Sequence, residues 1–277
     1  MTTAFAELPD ASSFRRMAAA MWRNPQDPTI YGTMDVDVTE TLQWIQRERE
    51  RTGSKLSITH VVSWAVAQAF AQHPSLNAKV RYWGKLERRT SVDLFVSVAT
   101  DGGKDLSGAR IDAADQLSLE GWAQAVGRRA SGIREGRDES FEKSRGLFKL
   151  LPWWLLRPLL RVIDVISNEL HLHLPSQGMP RDPFGTAVIT NVGTFGIDTA
   201  FAPFLPLGRC AMLMLLTEVK ARPWVVDGKL EVRQVLRLCA TFDHRIIDGF
   251  SAGVLAKEIR SRIEAPAGQL PVAAEAA

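Results

Sequence analysis

The segment Thr241-Phe242-Asp243-His244-Arg245-Ile246-Ile247-Asp248-Gly249 gathers the residue types best suited to chemistry in this chain. It follows an apolar run expected as a strand, Val235 to Ala240, and precedes an expected helix, so His244 falls near a strand end. Strand ends and the turns beyond them present side chains into clefts while the sheet holds them in place. Imidazole titrates close to neutral pH, which makes His244 the natural general base. Asp248, four residues on, is placed to orient a neighbour or to hold the turn, and Gly249 permits a tight entry into the helix. The same pair at the same spacing also arises in ordinary surface turns, so it does not decide the matter alone. Other residues offer less. His171 and His173 alternate as on one face of a strand, but no array of Cys, Asp or Glu at ligand spacing accompanies them, and no metal is expected. His73 before Pro74, at a helix end, and His60, near a helix start, read as structural. Gly102-Gly103 lacks the continuation that a nucleotide-binding loop needs. Thr190 by itself reads as an ordinary strand threonine.

These residues need elements to position them. A helix is expected over Asp10 to Arg23, capped by Ser12 or Ser13, then a strand over Thr33 to Val38 and a helix over Glu40 to Arg51 that Gly53 ends. Ser57 to Gln72 forms a second helix whose broad apolar face, including Val61, Trp64 and Phe70, calls for burial against a sheet. Ala78 to Trp83 and Ser91 to Thr100 flank the charged segment Lys85 to Arg89 and read as a hairpin, with Asp101-Gly102-Gly103 as a following turn. Ser118 to Gly132 is an amphipathic helix. Thr186 to Val192, Ala211 to Val219, Trp224 to Val226 and Lys229 to Thr241 are strand-like, and Asp227-Gly228 is a strong hairpin signal. A last helix covers Ser251 to Ile263. Both element types alternate, which implies an α/β layer fold with a mixed sheet.

Composition narrows the class. Hydrophobic residues make up 45% of the 277 and charged residues 23%, as in a globular chain with a full core. Two cysteines, Cys210 and Cys239, are too few for a disulfide framework and sit in apolar runs as buried thiols. The net charge of +3 is too small to argue for nucleic acid. No secretory signal opens the chain, so the expected address is the cytoplasm. One apolar stretch stands apart, a helical insertion at about Phe141 to Leu174. Lys149, Arg157, Arg161 and Asp164 interrupt it, and Pro152 and Pro158 are expected to break its helical hydrogen bonding, so it is no membrane span. It reads as a helix packed on its own domain, a lid on an acyl pocket, or a membrane or partner contact through 147–166.

In order along the chain, several motifs resemble one family. Asp243 to Gly249 has the His-x-x-x-Asp-Gly form of chloramphenicol acetyltransferases and, more closely, of dihydrolipoamide acyltransferase catalytic domains, the cores of 2-oxoacid dehydrogenase complexes. Thr190-Asn191-Val192-Gly193-Thr194-Phe195-Gly196 is similar to that family's Ser-Asn-Leu-Gly-x-Phe-Gly segment, and Arg222 to Lys229 to its Arg-Pro-x-Val-x-Asp-Gly-Lys hairpin. Met34 to Thr39 and His73 to Ala78 fit its first strand and the end of its second helix. The likeness runs from about Ser12 to Leu270, with the apolar segment as its main interruption.

The resemblance implies a two-layer, chloramphenicol acetyltransferase-like sandwich over 1–277, enlarged by the insertion and ending in an Ala-rich tail after 265. It implies an acyltransferase with His244 as general base, Thr190 in place of the family serine as oxyanion donor, and Asp248 supporting the site with Arg15 or Arg16. Asn191 and Gly193 fall where substrate is bound. Coenzyme A or acyl-CoA would be a substrate, the acceptor a small molecule or a carrier-bound thiol, and the assembly a homotrimer with active sites between subunits. The chain shows no lipoyl arm of its own, so a stand-alone acyltransferase is the first expectation. A lipoamide transacylase acting on lipoyl domains and a catalytically idle trimeric scaffold are the alternatives.

Overall fold

The computed structural model describes residues 12 and 17 and the stretches 27–100, 105–134, 152–173, 181–204 and 208–265. The helix expected at 10–23, the turn at 101–103, the first part of the apolar segment and the Ala-rich tail lie outside them. Strand β1 (Thr29–Asp37) begins earlier than its alternating pattern indicates, because nine consecutive pairs with a later strand carry it back to Thr29. Helix α1 (Thr39–Thr52) stops where Gly53 enters the left-handed region, φ 67°, and its N–H closes on the Arg49 carbonyl. Helix α2 (Ile58–Gln72) is apolar around most of its circumference and is buried accordingly, with Trp64 and Phe70 almost fully enclosed.

The expected hairpin of 78–83 with 91–100 is not formed. Instead β2 (Ala78–Val80) pairs with β3 (Leu86–Arg88) as a small separate sheet. Trp83 and Gly84 take successive left-handed conformations, φ 67° and 78°, and the Arg81 N–H reaches the Lys85 carbonyl at 2.8 Å, so the chain reverses within five residues. Strand β4 (Leu94–Thr100) is thereby released to the main sheet, where β5 (Asp105–Ile111) pairs with it. Helix α3 (Leu119–Arg134) follows with Leu119, Trp122 and Val126 turned inward.

Helix α4 (Trp153–Asp164) corrects the reading of the prolines. Pro152 occupies the position before the helix, where its missing N–H costs nothing, and Pro158 sits inside the helix without ending it. A wide turn over Val165–Glu169, closed by the Leu170 N–H on the Val165 carbonyl, completes the insertion. Leu156, Leu159, Leu160 and Ile163 are half-buried, while Trp154 and Val162 stay exposed. No helix among the described residues is long and apolar enough to cross a membrane. Strand β6 (Ala187–Asn191), the long hairpin β7 (Met212–Val226) and β8 (Lys229–Asp243), and helix α5 (Gly249–Glu264) finish the fold. As expected, Asp227 and Gly228 supply the two positive φ angles, 49° and 79°, of a tight hairpin turn.

The main sheet is mixed, in the order β1-β8-β7-β6-β4-β5, with β4, β6 and β7 parallel. Its helix-facing side carries Leu94, Ile189, Met212, Leu236 and Leu238 into one core with α1, α2, α3 and α5. The opposite side holds a smaller cluster of Phe95, Val188, Leu213, Leu215 and the two cysteines, partly covered by Phe184, Ala202 and Phe204.

Entry into β6 is tight. Gly185 has φ 63°, and a Cβ there would lie 2.5 Å from the Asp93 carbonyl oxygen, which already accepts the Thr186 N–H at 2.8 Å. Gly185→Ala is expected to lower stability by about 2 kcal/mol or more, from strain and the displaced ladder. A fall in the urea midpoint at constant slope is the expected measurement; an unchanged midpoint would contradict the close approach.

Candidate active site

The turn that carries His244 is assembled from its neighbours. The Asp243 carboxylate closing β8 accepts from the Arg245 backbone N–H at 3.1 Å and from its guanidinium at 2.9 and 2.6 Å. The Asp243 carbonyl accepts from Ile246 and Ile247 at 2.9 Å each, and Ile247 is wholly buried. Asp248 then caps α5, its Oδ1 accepting the Ser251 N–H at 2.8 Å. That bond, and beyond it the nearby His244, keeps the Asp248 carboxyl below its usual range. Between these anchors the His244 backbone N–H donates to the Pro28 carbonyl at 2.8 Å. Its ring stands exposed and has no hydrogen-bond partner among the described residues. Asp248 therefore holds the helix start rather than the imidazole. Arg15 and Arg16 lie outside the described residues.

Thr190 is half-buried near the end of β6. Ala187 and Ile189 face the helices and Val188 the opposite side, so by strand alternation Thr190 shares the face of Val188. Asn191 and Gly193, read from sequence as substrate contacts, spend their polar groups on each other and on α2. The Asn191 amide donates to Thr59 Oγ1 at 2.8 Å, and its carbonyl oxygen accepts the Gly193 N–H at 2.8 Å. A Cβ at Gly193 would overlap the Thr217 carbonyl, so only glycine fits. Both residues shape the loop after Thr190. The α2 start that holds them is itself pinned: the Ser57 N–H donates to His60 Nδ1 at 3.1 Å. Burial, then the nearby Arg49, lowers the His60 pKa to about 4, which keeps this nitrogen an acceptor.

The two candidate groups do not meet within one chain. Thr190 is level with Leu215 and Leu215 with Cys239, two strands across. His244 lies five residues beyond Cys239, so the separation is roughly 16 Å along the strands and 10 Å across, about 19 Å in all. A base and an oxyanion donor so far apart can act on one carbonyl only if two copies contribute one each.

The remaining histidines are placed elsewhere. His171 is not in a strand; it follows the wide turn at φ 55° and pairs with Glu87 at 3.0 Å. His173 Nδ1 accepts the Arg181 N–H, and His73 ends α2. Among the described residues no three His, Cys, Asp or Glu gather to hold a metal. Cys210 and Cys239 are free and buried, and burial pushes the Cys210 thiol up to about 12. What sequence reasoning missed is a cavity of about 710 Å³ between α4, the end of β2 and the loops that carry Phe184, Arg209 and Arg245, lined by arginines. Its one legible sign is the pair Arg157 and Arg161, a helical turn apart in an otherwise apolar segment.

The family model described as 2-oxoacid dehydrogenases acyltransferase (catalytic domain) matches residues 6–150 and 183–270. The dihydrolipoyllysine-residue acetyltransferase component of the acetoin cleaving system of Bacillus subtilis (strain 168) is 30% identical over 241 residues, covering 85% of this chain and 49% of the relative. The dihydrolipoyllysine-residue acetyltransferase component of the pyruvate dehydrogenase complex of Zymomonas mobilis is 25% identical over 265 residues, 94% of this chain and 50% of the relative. The chain thus spans about half the length of the curated relatives it matches. Among solved structures, a probable dihydrolipoamide acetyltransferase from Listeria monocytogenes superposes with a TM-score of 0.64 at 21% identity, covering 94% of this chain and 95% of its own. The truncated catalytic core of the Thermoplasma acidophilum 2-oxoacid dehydrogenase complex gives 0.60 at 19%, over 95% and 100%. The fold is that of these acyltransferase cores.

Because the His60 pKa is lowered on folding, the unfolded chain binds the extra proton between about pH 6.5 and 4. The stabilisation by neutral His60 is full above 6.5 and is lost as pH falls to about 4. The loss is on the order of 2–3 kcal/mol. His60→Gln is expected to flatten this part of the stability profile in urea titrations at stepped pH. A profile as steep as the wild type would remove His60 from the account.

Proposed function

The chain belongs to the 2-oxoacid dehydrogenases acyltransferase (catalytic domain) family, and on that premise we propose that it transfers acyl groups between coenzyme A and the dihydrolipoyl thiol of a lipoyl domain. The observation that carries the reading is the exposed His244 imidazole, set by Asp243, Ile247 and Asp248 on a rigid turn at the end of a central strand. The names of the relatives support this acceptor over that of a free-standing acyltransferase, the first expectation from the sequence.

In the proposed reaction the His244 imidazole takes the proton of the acceptor thiol, and the resulting thiolate forms a bond to the thioester carbonyl carbon. The carbonyl electron pair moves onto oxygen, and the Thr190 hydroxyl of a second copy donates a hydrogen bond to that oxyanion. Collapse re-forms the carbonyl and breaks the bond to the leaving sulfur, which takes the proton back from His244. No covalent acyl-enzyme is required. Threonine keeps the serine hydroxyl but restricts its rotation, so its reach is set by the β6 backbone.

A site shared between subunits is supported by the separation of about 19 Å between the two groups; we take the assembly to be a homotrimer, and the exposed apolar residues support association. Val225, Leu230 and Val232 stand 66–76% exposed on the arm where β7 and β8 run on beyond β1.

His244→Ala is expected to lower acyl transfer from acetyl-CoA to dihydrolipoamide by about a hundredfold or more. Thr190→Val, which keeps the shape and removes the hydroxyl, should cost roughly tenfold to a thousandfold. Co-expressing the two inactive variants tests the shared site. Random mixing leaves about a quarter of the interfaces with both groups intact, so activity should return to about that share of wild type. No recovery in mixed oligomers would sink the intersubunit reading, and transfer to alcohols or amines in preference to dihydrolipoamide would sink the acceptor.

A further inference from the structure

Helix α4 lies within 151–182, between the two segments that the family model matches, and it walls the 710 Å³ cavity that the acyl-transfer steps leave unused. The volume is within the range of small-molecule sites. Val80, Leu160 and Phe184 give it apolar walls, whereas among the described residues its charged lining is five arginines against the single carboxylate of Asp164. Three of those arginines are already engaged. Arg81 pairs with Glu87 and Glu169, Arg209 with Asp164 and Glu169, and Arg245 with Asp243. Arg157 and Arg161, one helical turn apart on α4, meet no carboxylate among the described residues.

The frame around them is fixed. Tyr82 donates to Asp164 at 2.8 Å, and the Arg209 guanidinium lies 4.6 Å over the Tyr82 ring. Two guanidinium groups that meet no carboxylate among the described residues, beside an apolar wall, match an oxyanion at the end of a hydrocarbon chain, with the arginines as fork donors and the chain along Leu160 and Phe184. Arg245, next in sequence to His244, brings this cavity to the edge of the candidate active site.

We propose that this cavity binds an amphiphilic anion, a carboxylate or phosphate on a short hydrocarbon chain, with Arg157 and Arg161 holding the anionic end. Its use as a pocket for the acyl group or acceptor rests on the acyltransferase reading; the binding itself does not.

Calorimetric titration of the full chain with hexanoate, hexyl phosphate, inorganic phosphate and hexanol tests this without any turnover. Either hexyl anion should bind at least tenfold tighter than hexanol and inorganic phosphate, and the ratio between the two identifies the preferred oxyanion. The Arg157→Gln, Arg161→Gln double variant should weaken anion binding at least tenfold, while Lys at both positions restores part of it. Both side chains are exposed on α4 and make no hydrogen bond or ion pair among the described residues, and unchanged thermal unfolding would verify that the variants fold. Anion affinity unaffected by the double substitution, or hexanol binding as tightly as hexanoate, would overturn the proposal. Binding is also expected to persist in His244→Ala. Tight hexanoate binding through Arg157 and Arg161 in a chain without acyl transfer would uphold the cavity and remove only the reaction.

Discussion

The register among β6, β7 and β8 is the constraint on which both candidate groups depend. Side chains alternate across a sheet, so a slip of one residue would carry Leu236, Leu238, Ala240 and Phe242 from the helix-facing core to the other side. Two features prevent that slip. The Asp227-Gly228 turn sets the pairing of β7 with β8 as far as a bulge between Leu216 and Val219, and nine pairs with β1 lock the far side of β8 beyond it. On that second edge Arg237 holds Asp35 through two hydrogen bonds of 2.7 and 2.8 Å. The same register fixes where β8 ends, and hence where the Asp243 turn lifts His244 out of the sheet. It also fixes Thr190 at a level five residues away. The distance between the two groups is therefore a property of strand pairing, not of loop conformation.

The insertion is held by charge rather than by apolar packing alone. Asp164, Glu169, Arg81 and Arg209 form one connected network around Tyr82. Burial opposes ionisation of Glu169, yet hydrogen bonds from Arg209, the Tyr82 N–H and Arg81 hold its pKa down to about 2. Buried ion pairs contribute little net stability because desolvation offsets their attraction, but they tolerate few alternative geometries. Such a network specifies one orientation for α4 where a set of leucines would accept several. This accounts for how a segment with a proline inside its helix keeps a defined place, and why Arg157 and Arg161 line the cavity.

Much of this was legible in the sequence. The helices at 39–52, 58–72, 119–134 and 249–264 were read nearly to their ends, because caps, apolar spacing and burial agree there. The Asp227-Gly228 hairpin was legible because both left-handed positions carry residues suited to them. The β2–β3 pairing was not, since Trp83 at φ 67° is a residue that local preference would not place there. Pro158 misled for a related reason: a helix packed on a domain tolerates one missing hydrogen bond that a free helix would not. At the site, residue type points to His244 and only the family resemblance to Thr190, while the use of Asn191 on Thr59 depends on a contact 132 residues apart, which no local pattern encodes.

In the proposed reaction, a base displayed on an exposed turn has no task in a single chain, because the proposed oxyanion donor is about 19 Å away. Burial within one copy would give His244 a partner but would close its ring to an acceptor. Exposure in the monomer leaves the ring accessible, and the apposed surface of a second copy can then supply both the hydroxyl and the exclusion of water. In the proposed reaction association and catalysis are a single step, with the apolar residues of the β7–β8 arm as the driving force and the sheet registers of two chains as the alignment. An insertion that forms a pocket reaching Arg245, next to the proposed base, can then alter which molecule reaches it without disturbing either strand that positions the reaction.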